Sequence, residues 1–415
     1  MGREIVTLQI GNDSNNVGTE LWNQLDVEHT HDNALIDYNT YYTFNKKTNV
    51  PSPRVLIIDY RNTFGNLFNE KEPDVKSPEN TSSIEIVNRE IDDNFWSKNL
   101  KTKAKFHRKS LIPLIDYWYY SSNHNEENQF DIYPIGQQIY KKMFDEIEHS
   151  LHYLLESCDS LQSFRCLYDV NDAFSGLFAS VQDYLVDECP KKPIWSFGIG
   201  DRPSSLNLSM SVVHSLIENQ MPTIPCLSSN KDKSKLSLSI QHSLLHSNLT
   251  LDLLADRLCP MKKYFLKLFS KIPLDLHDKT LHNYLDFNDI FRLEKPLACH
   301  YFIRGIEQKQ LYNQDVYNFN IQTSAELTAT YLREQYGTKM FLSTDSWIEK
   351  YDHMSFITGL FNDDSHSLKF FENLKDDMKK INYKTVSKRW EENEFDEQMF
   401  EQLMNNLNTL HEQYQ

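Results

Sequence analysis

The stretch Asp169-Val-Asn-Asp-Ala-Phe-Ser-Gly176 lies between a short apolar run, Phe164 to Tyr168, and an amphipathic run, Leu177 to Glu188. A strand, a tight loop and a helix opening form the phosphate cradle of many α/β proteins, because first-turn N–H groups lack partners and the helix dipole favours anions. A working cradle usually needs several glycines so that the backbone can approach the phosphate. This stretch has a single glycine and two aspartates. It therefore predicts the architecture of a nucleotide site without the chemistry that holds a phosphate.

A second strand–loop–helix unit opens the chain. Glu4 to Ile10 is apolar enough for a buried strand, and Gly11 to Gly18 follows with residues that favour turns and helix N-caps. A helix is predicted next, from Thr19 to Leu25. Another buried strand runs from Arg54 to Ile58 and ends at Asp59. Carboxylates just beyond the carboxyl end of a strand lie where α/β sheets bind ligands, so Asp59 marks a candidate site.

Strands alternate with helices along most of the chain, which predicts a mostly parallel sheet with helices on both faces. In the first half of the chain, the pattern predicts helices at Gln137–Glu156, Leu177–Glu188 and Asn207–Asn219 and a strand at Ile194–Phe197. A linker at 223–235 and a long helical stretch at Leu236–Leu254 are predicted next. The pattern then predicts a second α/β unit, with strands His300–Ile306 and Lys339–Leu342 around a helix at Ser324–Gln335, and C-terminal helices near Ser367–Ile381 and Glu394–Tyr414. The last helix carries an apolar stripe that we interpret as packing onto the body: Phe395, Met399, Leu403, Leu407, Leu410 and Tyr414. Residues 69–94 are rich in charged residues, Ser and Pro, and are predicted to be a flexible insertion.

Composition excludes several classes of protein. The chain has 415 residues and a net charge of −16, which argues against a nucleic-acid or anionic-membrane binder. Its six cysteines lack CxxC spacing, so we expect reduced thiols in a cytosolic setting and no zinc site. The polar start is not a signal peptide, and no apolar run is long enough to span a membrane.

One segment departs from this acidic background. Trp96 to Ser110 carries Lys98, Lys101, Lys103, Lys105, Arg108 and Lys109. A solvated basic face is one interpretation of the segment. The other is a patch for acidic partners or lipid head groups.

Several motifs resemble those of a known family. Arg3-Glu-Ile-Val-Thr-Leu-Gln-Ile-Gly11 with Trp22-Asn-Gln24 resembles the opening of tubulins, and is even more similar to the Misato family, tubulin-related proteins of mitochondrial distribution and morphology. The most specific match runs from Glu156-Ser-Cys-Asp-Ser-Leu-Gln-Ser-Phe164 through Asp169–Gly176 to Asp187-Glu-Cys-Pro190. The resemblance covers nearly the whole chain in order.

The resemblance implies a set of nucleotide-site positions. By position, Gln9, Gly11, Asn12 and Asn15 match the first nucleotide-contacting loop of tubulins, and Asp59 matches a carboxylate that helps to hold Mg²⁺ through water. Ser175 and Gly176 match the end of the tubulin glycine loop, and Asn207 lies one residue from the position of a guanine-reading Asn. No catalytic and no metal-ligating residue is assigned.

The departures from tubulin are larger than the matches. The glycine loop G-G-G-T-G-S-G is replaced by Val170-Asn-Asp-Ala-Phe-Ser-Gly176, an acidic position becomes Arg61, and the glycine-rich third loop is absent. Side chains would therefore occupy the phosphate position, and Asp169 and Asp172 would repel a phosphate by about 1 kcal/mol or more each. We expect weak or absent GTP binding, no GTP hydrolysis and no required cofactor, although GTP with Mg²⁺ remains an alternative.

The implied fold is α/β and tubulin-like, with a Rossmann-like sheet domain at 1–225, a core helix and smaller α/β domain at 226–360 and C-terminal helices at 361–415. The implied function is a non-catalytic tubulin-like protein of mitochondrial distribution, morphology and genome inheritance, located in the cytoplasm and on the mitochondrial outer membrane. One alternative is a GTP-binding, polymerising protein. Another is a cofactor of chaperonin and tubulin assembly in spindle formation. Expected partners are proteins: cytosolic chaperonin, tubulin or outer-membrane proteins, with no nucleic acid.

Overall fold

A computed structural model of the chain describes residues 4–29, 37–44, 48–68, 95–119, 129–200, 205–227, 233–244, 250–271, 285–286, 297–304, 340–344, 356–381 and 383–415. The strands are β1 (Glu4–Ile10), β2 (Tyr42–Phe44), β3 (Pro51–Pro53), β4 (Val55–Asp59), β5 (Leu111–Pro113), β6 (Leu161–Asp169), β7 (Ile194–Gly200), β8 (Thr223–Leu227), β9 (Lys267–Lys271), β10 (Leu285–Asp286), β11 (Ala298–Arg304), β12 (Met340–Thr344) and β13 (Phe356–Asn362). The helices are α1 (Asn12–His29), α2 (Tyr133–Lys142), α3 (Phe144–Glu156), α4 (Phe174–Glu188), α5 (Ser205–Val213), α6 (Lys233–Ser243), α7 (Leu251–Leu258), α8 (Asp364–Lys380), α9 (Tyr383–Glu391) and α10 (Glu397–Gln413).

The larger sheet contains six strands in the order β5-β4-β1-β6-β7-β8, and every neighbouring pair is parallel. All residues of β1 and β7 are buried, as expected for a parallel sheet that is covered on both faces. The chain starts in the middle of the sheet, adds β4 and β5 on one side, and then adds β6 to β8 on the other. The order therefore reverses beside β1, and α/β sheets bind ligands at such a switch point.

A smaller sheet follows in the order β10-β9-β13-β11-β12, in which only β11 and β12 are parallel. Helix α6 packs against α1 on one side and against β13 and β9 of this second sheet on the other. Two apolar clusters cover the two faces of the larger sheet, one with α2 to α5 and the C-terminal helices, the other with α1, α6 and α7. The predicted α/β fold with a mostly parallel sheet is confirmed.

The C-terminal helices pack onto the body as predicted. Leu403, Leu407 and Leu410 are buried, and the Tyr414 hydroxyl accepts a hydrogen bond from the Phe265 N–H at 3.0 Å. Met399 is the exception, because its side chain is 42% exposed. Phe395, at the start of the stripe, is also buried, so the stripe is an internal packing surface apart from Met399.

Four predicted elements differ from the structure. The helix at 137–156 is two helices, because the backbone breaks at Met143 (φ −106°, ψ 13°). The linker prediction at 223–235 is wrong for its first five residues, which form the buried strand β8 despite their Thr, Pro and Cys content. The helical stretch at 236–254 ends at Ser243, and a new helix begins after Thr250, whose backbone is extended. The first helix begins at Asn12, directly after Gly11, and not at Thr19.

The predicted helix at 207–219 ends in a π-helical turn, His214–Glu218, and this turn holds a buried histidine between two carboxylates. His214 Nε2 lies 2.7 Å from Asp183 Oδ1, and its Nδ1 lies 2.8 Å from Glu218 Oε2. Burial opposes protonation, but the hydrogen bonds to Asp183 and Glu218 prevail and raise the pKa of His214 to about 9. The imidazolium form therefore ties the turn to α4 at neutral pH.

Two predictions lie outside the described residues: the flexible insertion at 69–94 and the helix at 324–335. The described cysteines Cys158, Cys166, Cys189, Cys226 and Cys259 are free thiols. Among the described residues, no helix is long and apolar enough to cross a membrane.

Candidate functional site

The candidate site lies at the switch point, where β1, β4 and β6 end. Gly11 is the single residue between β1 and α1, and its φ of +111° is a conformation that side chains with a Cβ rarely adopt. Asp59 ends β4, and Asp169 ends β6. The sheet therefore brings the opening of α1 and two carboxylates to one place.

The Asp169 carboxylate caps the N-terminus of α1. Its Oδ2 accepts the Asp13 N–H at 2.9 Å, and its Oδ1 accepts the Ser14 N–H at 2.7 Å and the Ser14 hydroxyl at 2.5 Å. A Cβ on Gly11 would lie 2.4 Å from Asp169 Cγ, so the glycine also makes room for this carboxylate. First-turn N–H groups are what an α/β protein offers to a phosphate. Here a carboxylate from the neighbouring strand already binds them.

Asp172 occupies the opening of α4 in a similar way. Its Oδ1 accepts the Phe174 N–H at 3.0 Å, and its backbone carbonyl accepts the Ser175 hydroxyl at 2.6 Å. The Phe174 ring is fully buried and packs edge-on against Tyr60 and Phe130, with ring centroids 5.1 and 4.8 Å away. The second helix opening is thus closed by its own loop and by an aromatic cluster.

Asp59 is fully buried and makes three hydrogen bonds. Its Oδ2 accepts from Asn15 Nδ2 at 2.9 Å and from Trp96 Nε1 at 2.7 Å, and its Oδ1 accepts the Tyr60 N–H at 2.7 Å. Burial raises the pKa of Asp59 to about 6, although these three donors lower it in part. Asp59 therefore links β4, α1 and the Trp96 segment.

Burial also raises the pKa of both loop aspartates. For Asp169 the effect of burial is reinforced by the charges of Asp13 and Asp172, and its hydrogen bonds from Ser14 and Asp13 oppose it. For Asp172 the pKa rises to about 8, mainly through burial, while the Phe174 N–H lowers it. Within the described residues, no group of three or more His, Cys, Asp or Glu side chains could hold a metal ion.

Ser175, Gly176 and Asn207 lie in a second cluster, at the crossing of α2 and α4. A Cβ on Gly176 would lie 1.9 Å from the Tyr133 carbonyl oxygen, and a Cβ on Gly136 would lie 1.8 Å from the Ala173 carbonyl oxygen. Each glycine thus lets the other helix approach closely. In this structure the space at Gly176 is taken by α2.

Asn207 joins three segments of backbone. Its Oδ1 accepts the Tyr133 N–H at 2.9 Å, which satisfies a first-turn donor of α2, and its Nδ2 donates to the Asp131 and Asn171 carbonyl oxygens at 2.7 and 3.0 Å. Both Nδ2 hydrogens are therefore engaged inside the protein. The amide braces the loop before α2 against the loop before α4.

Three other candidate side chains keep polar atoms without a hydrogen-bond partner among the described residues: Gln9 Nε2, Asn12 Oδ1 and Asn15 Oδ1. Gln9 lies beneath the second turn of α1, since a Cβ on Gly18 would lie 2.1 Å from its Nε2. Two of these three atoms are acceptors, which do not bind phosphate oxygens. The donor set and the space present therefore do not fit a nucleoside triphosphate.

Gly11, Asn12 and Asn15 lie at the opening of α1, and Asp59 accepts a hydrogen bond from Asn15, but the sequence did not reveal the role of Asp169. Asp169 was expected to repel phosphate by its charge, whereas its carboxylate binds the donors of α1 directly. Strand order is the missing information, because only the β1–β6 pairing brings residue 169 to the start of α1. The roles of Trp96 and Gly136 were missed for the same reason.

Comparisons with known proteins agree with this fold. A family model described as the Misato Segment II tubulin-like domain matches residues 3–111, and one described as a tubulin domain matches residues 92–249. Together with the parallel sheet and its switch-point loop, these matches define a tubulin-like protein.

Curated relatives narrow the class. Protein misato homolog 1 of Mus musculus is 23% identical over 263 residues, which are 52% of this chain and 47% of that protein. Protein DML1 of Gibberella zeae is 24% identical over 234 residues (48% and 46%), and Protein DML1 of Phaeosphaeria nodorum is 27% identical over 240 residues (48% and 45%). Within the tubulin-like proteins, the chain is similar to members of the Misato family over about half of its length. It spans about half the length of the curated relatives it matches.

Proposed function

We propose that this Misato-like protein is a non-catalytic, nucleotide-independent scaffold that acts in mitochondrial distribution, morphology and inheritance of the mitochondrial genome. The observation that carries the non-catalytic part is the Asp169 carboxylate on the N-terminus of α1. A phosphate would have to displace this carboxylate and then lie beside it. The phosphate would therefore have to compete with Asp169 for the same first-turn N–H donors of α1.

The aromatic cluster supports the same conclusion independently. Phe174 is fully buried against Tyr60 and Phe130, in the loop that resembles the glycine loop of tubulins. Moving a buried Phe out of such a cluster costs about 3 kcal/mol or more, judged from the cost of truncating one. A nucleotide would have to supply this energy in addition to its own binding.

Two observations favour a GTP-binding alternative. Gly11 keeps its positive φ, and the Asn15–Asp59 hydrogen bond at 2.9 Å keeps two of the nucleotide-contacting positions together. The same hydrogen bond also joins α1 to β4, so it has a structural role without any ligand. We therefore place GTP with Mg²⁺ second.

The mitochondrial part of the proposal is supported by the family resemblance. We propose a location in the cytoplasm and on the outer surface of mitochondria, and protein partners among outer-membrane proteins. The second family alternative, assistance to chaperonin and tubulin assembly, would instead give a cytosolic pool bound to chaperonin.

Depletion in cells, followed by complementation, tests the proposal. Loss of the protein should fragment or cluster the mitochondrial network and lower mitochondrial DNA inheritance over successive divisions. Complementation with Asn12→Ala should be complete, because the Asn12 side-chain oxygen has no hydrogen-bond partner among the described residues. Failure of a folded Asn12→Ala chain to complement would favour GTP binding. Normal mitochondria after depletion, with spindle defects and recovery on chaperonin, would overturn the proposal.

A further inference from the structure

The basic segment noted in the sequence is an ordered surface feature, which we call the basic strip: Lys98, Lys101, Lys103, Lys105, Arg108 and Lys109. All six side chains are exposed. The described residues 95–115 contain no Asp or Glu, although the chain as a whole has a net charge of −16. The strip therefore opposes the charge of the rest of the protein.

The backbone of the strip is fixed at close intervals. The Lys101 N–H donates to Asn23 Oδ1 at 2.7 Å, the Lys103 N–H to Asp26 Oδ2 at 3.1 Å, and the Lys105 N–H to the Pro51 carbonyl oxygen at 2.9 Å. These bonds hold the segment along α1 and against β3. The backbone therefore loses little further freedom when a ligand binds.

Alternate side chains anchor the strip from beneath. Trp96 is buried and donates to Asp59, Ala104 is buried, and Phe106 packs edge-on against Trp22 with ring centroids 6.4 Å apart. Exposure therefore alternates along the segment: Lys101, Lys103 and Lys105 face solvent. Five residues span at most about 18 Å, so these three ammonium groups lie within a Debye length or two of one another.

Two kinds of anionic partner could meet such a strip, and the surroundings favour a peptide. Membrane-surface binding usually combines basic residues with apolar side chains that enter the acyl layer. No large apolar side chain is exposed within residues 95–110, all described; the exposed Ile115 and Trp118 follow β5, beyond the strip. A flat anionic membrane would also face the remaining surface, whose net charge is more negative than that of the whole chain. A peptide contacts the strip alone.

We propose that the basic strip is a docking surface for an acidic, extended peptide segment of a partner protein. Carboxylates at every second residue of an extended peptide would all face the three lysines, because alternate side chains of an extended chain point to one side. The charge of Arg108 interacts with Glu146. Lys109 lies over the Tyr153 ring, with Nζ 5.3 Å from the ring centroid.

Fluorescence anisotropy with the full chain tests the proposal. The probe is a labelled peptide of about six Glu-Ser repeats, long enough to span the strip in extended form, and the matched control peptide has Gln in place of Glu. The triple variant Lys101→Gln, Lys103→Gln, Lys105→Gln removes three exposed positive charges. The control variant Lys379→Gln, Lys380→Gln, Lys388→Gln removes three from the C-terminal helices, where each lysine makes only an exposed ion pair.

We expect the Glu peptide to bind, the Gln peptide not to bind, and the strip variant to weaken binding about tenfold or more, with little change in the control variant. Raising salt from about 50 to about 500 mM should remove the binding, because exposed charges are screened. Equal weakening in the two variants would overturn the proposal. So would strip-dependent binding to phosphatidylserine vesicles without binding to the Glu peptide. Thermal unfolding of both variants checks that they are folded.

Discussion

Replacing Asp169 by Ala should both destabilise the protein and create an anion site. The substitution removes the acceptor for the buried Ser14 N–H, the partly buried Asp13 N–H and the Ser14 hydroxyl at the start of α1. Loss of a helix N-cap costs about 1–2 kcal/mol, and an unsatisfied buried donor costs about 1–3 kcal/mol. Water can reach the space left by the carboxylate and can bind some of the freed donors. We therefore expect the free energy of unfolding to fall by about 2–4 kcal/mol, which is less than the sum of the separate costs.

Inorganic phosphate should partly reverse this loss. In the Asp169→Ala chain the first-turn N–H groups of α1 are free, and Gly11 leaves its backbone exposed to the vacated space. Phosphate also strengthens folding in general by exclusion from the protein surface, so the unmodified chain and Asp187→Ala, which changes an exposed aspartate, serve as controls.

The assay is urea unfolding at neutral pH, with phosphate or chloride at equal ionic strength. We expect the midpoint of Asp169→Ala to fall, and to recover with phosphate by more than either control recovers. An Asp169→Ala chain as stable as the unmodified chain, or an equal phosphate effect on all three, would refute the assignment of Asp169 as an internal anion.

The remaining predictions concern packing and pH. Gly176→Ala should destabilise by about 3 kcal/mol or more, because its Cβ would lie 1.9 Å from the Tyr133 carbonyl oxygen, whereas Ser180→Ala should change the urea midpoint little. The pKa of Asp172 is raised to about 8, so the contribution of its protonated form to stability is lost as pH rises from about 4 to 8. Over that range Asp172→Asn should gain stability relative to the unmodified chain, by at most about 1.4 kcal/mol per pH unit. Parallel pH profiles of unfolding for the two chains would contradict this. The pKa of His214 is raised to about 9, so the stabilisation that its imidazolium form gives is complete below about pH 6.5 and lost towards pH 9. His214→Gln should therefore flatten the dependence of unfolding stability on pH in that window. An unchanged pH profile would exclude the pairing of a charged His214 with Asp183 and Glu218.

The architecture of the larger sheet could be predicted because it follows from local patterns. The apolar run at 4–10, the turn residues after Gly11 and the run ending at Asp59 each specify their own element, and together they predict a parallel sheet. The start of α1 was placed too late, because its first turn is polar and its N–H groups are capped from a distant strand.

The chemistry of the site could be predicted only in part, since it depends on contacts between distant residues. Side chains of the 170–176 loop were expected at the phosphate position, which stays a prediction; the structure shows that the ring of Phe174 is buried in an aromatic cluster. The capping role of Asp169 depends on strand order, and the role of Gly176 depends on Gly136, which is forty residues away along the chain. Strand β8 was missed because Pro225 and small polar residues weaken its local pattern.

Equilibrium binding of GTP to the unmodified chain, by isothermal titration calorimetry with Mg²⁺, tests the central claim most directly. With the Asp169 carboxylate on the α1 N-terminus and Phe174 in its cluster, we expect no saturable heat up to about 1 mM GTP, which bounds the binding free energy at about −4 kcal/mol. Saturable, Mg²⁺-dependent binding with a dissociation constant near about 1 μM would contradict the account.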